Sequence, residues 1–242
     1  MTTIDPKTTV GELVRQHPIR AKLFEELKID FCCGGKIPLT EVCENKNLNL
    51  DQLIAMIRTL DTVSAGQNTQ TVDADKLSLS ELTDHIVQTH HAYVREELPR
   101  LEFMTRKVHA VHGEHDPRLA QVRQAFVELQ NEMNSHMLKE EQVLFPMIRR
   151  LDTAKGALPG DTFSVSNPIR QMEAEHDAAG AALETMNNAT DGYQPPEWAC
   201  NTYRAMLDGL ARLERDMHQH VHKENNVLFP KAMQREAELL TA

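Results

Sequence analysis

The chain has 242 residues and a formal net charge of −10, with 26 Lys and Arg against 36 Asp and Glu. That length allows one large domain or two smaller ones, and the acidic balance argues against a general nucleic-acid binder. Four cysteines without regular spacing exclude a disulfide scaffold. No signal core and no apolar run near the ~18 residues of a spanning helix stand out, so a soluble, cytoplasmic protein with no membrane partner is expected.

In chain order, residues 1–61 read as a small helical module. Val10, Leu13, Val14, Ile19, Leu23, Phe24 and Leu27 fit one or two short amphipathic helices broken by Pro18. Phe31-Cys32-Cys33-Gly34-Gly35-Lys36 reads as a turn, and Leu48 to Leu60 as a further helix. Residues 62–77, with Gly66, Gln67, Asn68 and Thr69, read as a polar linker. The remainder, 78–242, shows four long helical patterns and no strand-like alternation. The predicted architecture is all-α: a four-helix bundle with a small helical N-terminal domain.

The first predicted bundle helix runs from about Ser80 to Val111 and carries Val87, His91, Val94, Leu98 and Leu101, with Pro99 placed to kink it. The second starts after Asp116-Pro117 and carries Phe126, Leu129, Met133, His136, Glu140 and Val143. The third follows Ser166 and Asn167, good cap residues, and carries Met172, His176, Ala179 and Leu183. The fourth starts near Pro195-Pro196 and carries Leu213, Met217, His220, Glu224 and Val227. Pro146 and Pro230 are placed to end the second and fourth helices.

Two stretches nearly repeat: His136-Met-Leu-Lys-Glu140-Glu-Gln-Val-Leu-Phe-Pro146 and His220-Val-His-Lys-Glu224-Asn-Asn-Val-Leu-Phe-Pro230. His and Glu four residues apart share one helix face. A lone His91 precedes the first pair and a lone His176 the second, at almost the same interval. All six occupy stripe positions among Leu, Met, Val and Phe. Buried carboxylates and imidazoles need partners, and a dinuclear metal site supplies them. Imidazole and carboxylate without thiolate suit iron, manganese or zinc. The two carboxylates allow bridging, and six protein ligands leave open positions.

Other candidates weigh less. Glu132 and Glu175 read as groups supporting the site, as an ion path, or as surface glutamates. His218 and His222 lie about 200° around the helix from His220, and His90 about 100° from His91. His109, His112 and His115 read as a solvated helix end. Lys139, Glu141 and Lys223 read as a solvated face. Cys32 and Cys33 are adjacent, not Cys-x-x-Cys, and read either as reactive thiols on an open Gly-Gly turn or as small buried residues beside it.

Asp30-Phe-Cys32-Cys33-Gly34-Gly35-Lys36 resembles the N-terminal signature of the iron–sulfur cluster repair di-iron (RIC) proteins. Asp84-His85-Ile-Val with His91, the two repeats, and Glu173-Ala-Glu175-His176-Asp-Ala-Ala-Gly180 resemble their hemerythrin-like domain. The resemblance implies two non-haem iron ions with His91, His136, His176 and His220 as terminal ligands. Glu140 and Glu224 would be bridging carboxylates, accompanied by an oxo or hydroxo bridge. It also implies repair of iron–sulfur clusters damaged by oxidative or nitrosative stress. Damaged iron–sulfur proteins or cluster scaffolds would be the partners, and a homodimer the assembly. Glu132 and Glu175 match acidic positions near the iron in that family, and Cys32 and Cys33 its paired cysteines.

Oxygen-carrying hemerythrins are the nearest contrast. Glu224 stands where they place a further histidine, and Phe229 where they place an aspartate. Within the repair reading, iron supply leads. Reduction of nitric oxide to nitrous oxide, and sensing of O2 or NO by a binding protein, are the alternatives.

Overall fold

The computed structural model describes residues 4–64, 72–156 and 164–241. Among them the chain is helical, with one isolated antiparallel bridge between Thr9 and Pro38. The N-terminal module holds α1 (Val10–Gln16), α2 (Arg20–Glu26), α3 (Leu39–Lys46) and α4 (Leu50–Ser64). Pro18 separates α1 from α2, as its missing N–H dictates. The third helix was not legible in the sequence: its buried positions are only Leu39, Val42 and Cys43. It closes on Asn47, whose φ of 53° is tolerated by asparagine. Part of the expected linker, residues 65–71, lies outside the described residues. Its flanks are ordered structure, since α4 runs to Ser64 and Ala74–Lys76 forms a 3-10 turn.

The larger part is a bundle built from α5 (Leu79–Ile86), α6 (Ala92–His112), α7 (Arg118–Lys139), α8 (Phe145–Thr153), α9 (Ser166–Ala189), α10 (Asn201–Lys223) and α11 (Phe229–Thr241). Ser78 and Glu81 form a reciprocal cap at the start of α5. Ser166 and Asn167 lie inside the first turn of α9, not before it; Ser164 Oγ accepts from the Ser166 N–H instead. α6 packs on α7 and α10, α7 packs on α9, and α9 meets α10.

Three π turns join pieces of what would otherwise be single rods: Val87–His91 between α5 and α6, Glu140–Leu144 between α7 and α8, and Glu224–Leu228 between α10 and α11. A regular α-helix drifts about 40° over each four-residue step. His136, Glu140, Leu144 and Ile148 are all buried, and the wider i→i+5 turn takes up that drift. Here the expectation for the prolines fails. Pro146 and Pro230 do not end their helices; each is the second residue of a continuing one, where the hydrogen-bond register has just shifted.

The bundle interior has two apolar layers. One includes Val94, Met133, Met137, Ala179, Met217 and Val221. The other includes Ile86, Leu144, Phe145, Met172, Leu228 and Phe229. A third cluster is the core of the N-terminal module. The six polar stripe residues fall, in sequence, between members of the two bundle layers.

Candidate metal centre

His91, His136, Glu140, His176, His220 and Glu224 are all buried, and the structure brings them together. They form two groups: His91, His220, Glu140 and Glu224; and His136, His176, Glu140 and Glu224. Within each group the potential ligand atoms lie within 4.8 Å of one another, and both carboxylates are common to the two. Glu140 Oε2 is 3.3 Å from Nε2 of both His91 and His136. Glu224 stands 2.9 Å from His220 Nε2 and 3.1 Å from His176 Nε2, using its two oxygens. The π turns contribute directly: His91 ends one, and Glu140 and Glu224 open the others.

The outward nitrogens show which way each ring is turned. His91 Nδ1 lies 2.6 Å from Glu141 Oε1, His136 Nδ1 2.9 Å from Glu175 Oε2, and His176 Nδ1 2.8 Å from Asn225 Oδ1. Each of these oxygens is an acceptor, so each Nδ1 carries a proton, which leaves Nε2 as the inward atom whose lone pair a metal would take. The Nε2 atoms of His136 and His176 then face each other at 3.1 Å. Two lone pairs at that separation repel unless a proton or a cation lies with them.

Unpartnered atoms give the same answer. Buried side-chain N and O atoms without a hydrogen bond include His91 Nε2, both oxygens of Glu140, Glu224 Oε2 and His220 Nδ1. Glu140 lies at ion-pairing distance from His91 and His136 without a hydrogen bond, whereas Glu224 Oε1 accepts from His220 Nε2–H at 2.9 Å. Each orphaned group costs about 1–3 kcal/mol. A donor set of four imidazoles and two carboxylates, already stripped of water, fits divalent or trivalent first-row metal ions.

Without a cation, the charges settle among themselves. Burial would raise both carboxyls, and the Glu224 charge would raise Glu140 further, but the imidazoles draw both down, Glu224 well below the usual range. Burial disfavours the His136 cation, yet Glu140 and Glu224 more than offset that and hold it up to about 9. His91 moves up for the same reasons, whereas burial wins at His220 and pushes it down.

Of the other expected residues, Glu175 reaches the site through His136 and also pairs with Lys139 and Gln171. Glu132 is exposed. Cys32 is buried and Cys33 half-buried, and with Asp30 they form a further group of potential ligands. Asp30 shapes this turn: its carboxylate accepts from the N–H groups of Cys32 and Gly34 and from the Cys32 thiol. Contact with Cys33, burial and the Asp30 charge push the Cys32 thiol well up. Cys33 Sγ lies beside Gly180, 3.9 Å from where a Cβ would stand, one turn along α9 from His176.

Lys139, Glu141 and Lys223 are not a plain solvated face. Glu141 orients His91 and pairs with Arg95, Lys139 pairs with Glu175, and half-buried Lys223 donates to His90 Nε2 at 2.7 Å and to His85 Nε2 at 3.1 Å. The repeat carries a signal for Glu141 and Asn225: each directly follows a repeat glutamate, and each holds the lone histidine of its own repeat. His222 turns away from the centre, with Nδ1 3.3 Å from Phe31 O, and burial pushes it down to about 4. His112 and His115 are engaged elsewhere, with Cys200 and Trp198.

Fold and site together define a helical-bundle cation centre fused to a small helical module. Residues 82–232 match the hemerythrin HHE cation binding domain, and residues 6–61 match a domain of unknown function (DUF542, ScdA_N). The iron–sulfur cluster repair protein YtfE of Pectobacterium atrosepticum is 38% identical over 228 residues, covering 94% of this chain and 97% of that protein. Those of Yersinia pseudotuberculosis and Yersinia pestis are each 40% identical over 231 residues, with the same coverage. The chain belongs to the YtfE family of hemerythrin HHE proteins. No helix among the described residues is long and apolar enough to cross a membrane.

Proposed function

We propose that this chain holds two iron ions between His91, His136, His176, His220, Glu140 and Glu224, and supplies iron to iron–sulfur clusters damaged by oxidants or nitric oxide. The repair role is carried by the names of its relatives. The site reading is carried by one observation: four inward-facing imidazoles and two buried carboxylates, three of whose four oxygens have no hydrogen bond, in two groups that share both carboxylates. Bound there, two iron ions would keep open coordination positions, because six protein groups do not fill two octahedral shells even with both carboxylates bridging.

The chain's own residues hold and orient. Glu141, Glu175 and Asn225 keep three rings turned with Nε2 inward. The apolar layers on either side exclude water, which strengthens the attraction between carboxylate and cation. Iron is cargo in this reading. Asp30, Cys32 and Cys33, placed near α9, offer thiols as a docking or exchange point for a damaged protein or a cluster scaffold. Four free cysteines agree with a reducing cytoplasm. A homodimer is part of the same proposal, and sedimentation of the full chain checks it.

Incubating iron-loaded protein with an inactivated cluster enzyme tests the proposal. Recovery should depend on Glu140 and Glu224. If a Glu140→Ala/Glu224→Ala double variant restores the enzyme as well as the unmodified chain does, iron supply from this site is wrong.

A further inference from the structure

The internal repeat exposes an asymmetry. His136 and His220 are equivalent, each opening a His-x-x-x-Glu pair. His136 Nδ1 is held by Glu175, the residue before His176. The equivalent residue, before His91, is His90. Its ring lies flat against His220, with centroids 5.3 Å apart and planes 1° apart, so it offers a face and not an acceptor. Both of its nitrogens are already committed: Nε2 accepts from the Lys223 ammonium at 2.7 Å, and Nδ1–H donates to Asp216 Oδ1 at 2.9 Å. Of the four imidazoles in the centre, His220 alone has a buried Nδ1 with no hydrogen bond.

The missing acceptor stands one turn away on the same helix. Asp216 precedes His220 by four residues on α10, and residues four apart share a face. Its Oδ1 serves His90, while its Oδ2 is buried without a partner. Seven buried side-chain atoms lack partners among the described residues. Five belong to the six residues of the centre; Asp216 Oδ2 and the Tyr93 hydroxyl are the other two. In the metal-free fold His220 Nε2–H faces Glu224 Oε1 at 2.9 Å; a metal taking Nε2 moves the ring proton to Nδ1, and that donor and the orphaned acceptor, on neighbouring turns of one helix, are then complementary. The counterpart of Asp216 in the other half is Glu132, which is exposed. That half has Glu175 for the task and needs no second carboxylate.

Resting on the metal reading above, we infer that Asp216 is the positioning residue for His220: its carboxylate accepts from Nδ1–H, holds Nε2 toward Glu224 and the metal, and raises the ring's basicity. His90 fixes where that carboxylate sits. Lys223 fixes the tautomer of His90, so the ammonium, imidazole and carboxylate form one line ending at a ligand.

Cobalt(II)-loaded protein provides a readout independent of activity. The unmodified chain should bind two cobalt ions and show four paramagnetically shifted Nδ1–H resonances that exchange slowly with solvent. Asp216→Ala should lose one of them to exchange and bind cobalt about 10–100-fold more weakly. His90→Phe keeps the flat contact and leaves Asp216 wholly to His220, so it should retain all four. Tyr93→Phe should retain all four as well. If Asp216→Ala and His90→Phe behave alike, Asp216 acts only through His90, and the assignment is overturned. Four intact resonances with unchanged affinity in Asp216→Ala overturn it too. Should that variant not fold, Asp216→Ser, too short to span a turn, serves the same comparison. An unmodified chain that takes up no cobalt overturns the metal reading itself, and this inference with it.

Discussion

Raising the pH on protein freed of metal separates the energetics of the empty cluster from those of the ligated one. In the metal-free fold His136 keeps its proton up to about 9, against about 6.5 in an unfolded chain. A group whose folded pKa lies above its unfolded value stabilises the fold fully below the lower value and ceases to do so as pH passes the higher. The difference, about 2.5 units at 1.36 kcal/mol each, is about 3 kcal/mol. His91 shifts in the same direction. Glu140 and Glu224 are depressed and ionised in both states here, so their contribution stays constant. Lys223, depressed by burial, works against the trend, so the His91 and Lys223 contributions oppose each other and about 3 kcal/mol is the share of His136 alone.

Urea titrations of chelator-treated protein between pH 6.5 and 9.5 should therefore show unfolding free energy falling. Metal affinity should move the other way, rising about tenfold per pH unit while His136 must still shed its proton to bind. Metal-free stability that holds level or grows across this window would refute the account of why these groups tolerate burial.

Glu141→Ala removes the acceptor from His91 and should weaken metal binding about 10–100-fold by chelator competition, whereas Glu132→Ala should leave affinity unchanged. Gly35→Ala would put a methyl 2.4 Å from Asn226 Oδ1 and 2.7 Å from Phe31 O. It should cost about 1–3 kcal/mol in denaturant titration and hasten proteolytic cleavage between the module and the bundle. Asp61→Ala leaves the fully buried Arg20 guanidinium without the carboxylate 2.5 Å away, at a cost of about 3–5 kcal/mol in the same titration.

The residues of the buried cluster were legible because their chemistry contradicts their position. His136 and Glu140 stand where Met133 and Leu144 set the expectation of apolar packing, and the same conflict recurs at His220 and Glu224. The supporting residues were less legible. Glu141 sits among charged neighbours and looks like surface on its own helix, and only the approach of the Val87–His91 turn and the start of α6 brings it to His91 and Arg95. Asp216 and Lys223 owe their partners, His90 and His85, to α5 and the π turn after it in the same way. The π turns were illegible to a rule that reads proline as a stop, because Pro146 and Pro230 fall where either outcome is compatible with the missing N–H. The short helix Leu39–Lys46 has too few apolar positions to announce a period.

Three consecutive side chains on the turn that opens at Glu224 face three different neighbours. Glu224 faces the centre, Asn225 grips His176, and Asn226 donates to the backbone oxygens of Phe31 and Cys32 at 3.4 and 3.0 Å. In the sister turn, Glu140 and Glu141 do the first two jobs, but Gln142 is exposed and has no module to hold. A bundle of this kind travelling without its leading sixty residues would have no use for an amide at the third place. The tripeptide Glu224-Asn225-Asn226 is thus a written record of what the bundle is attached to, readable from a fragment that does not contain the attachment.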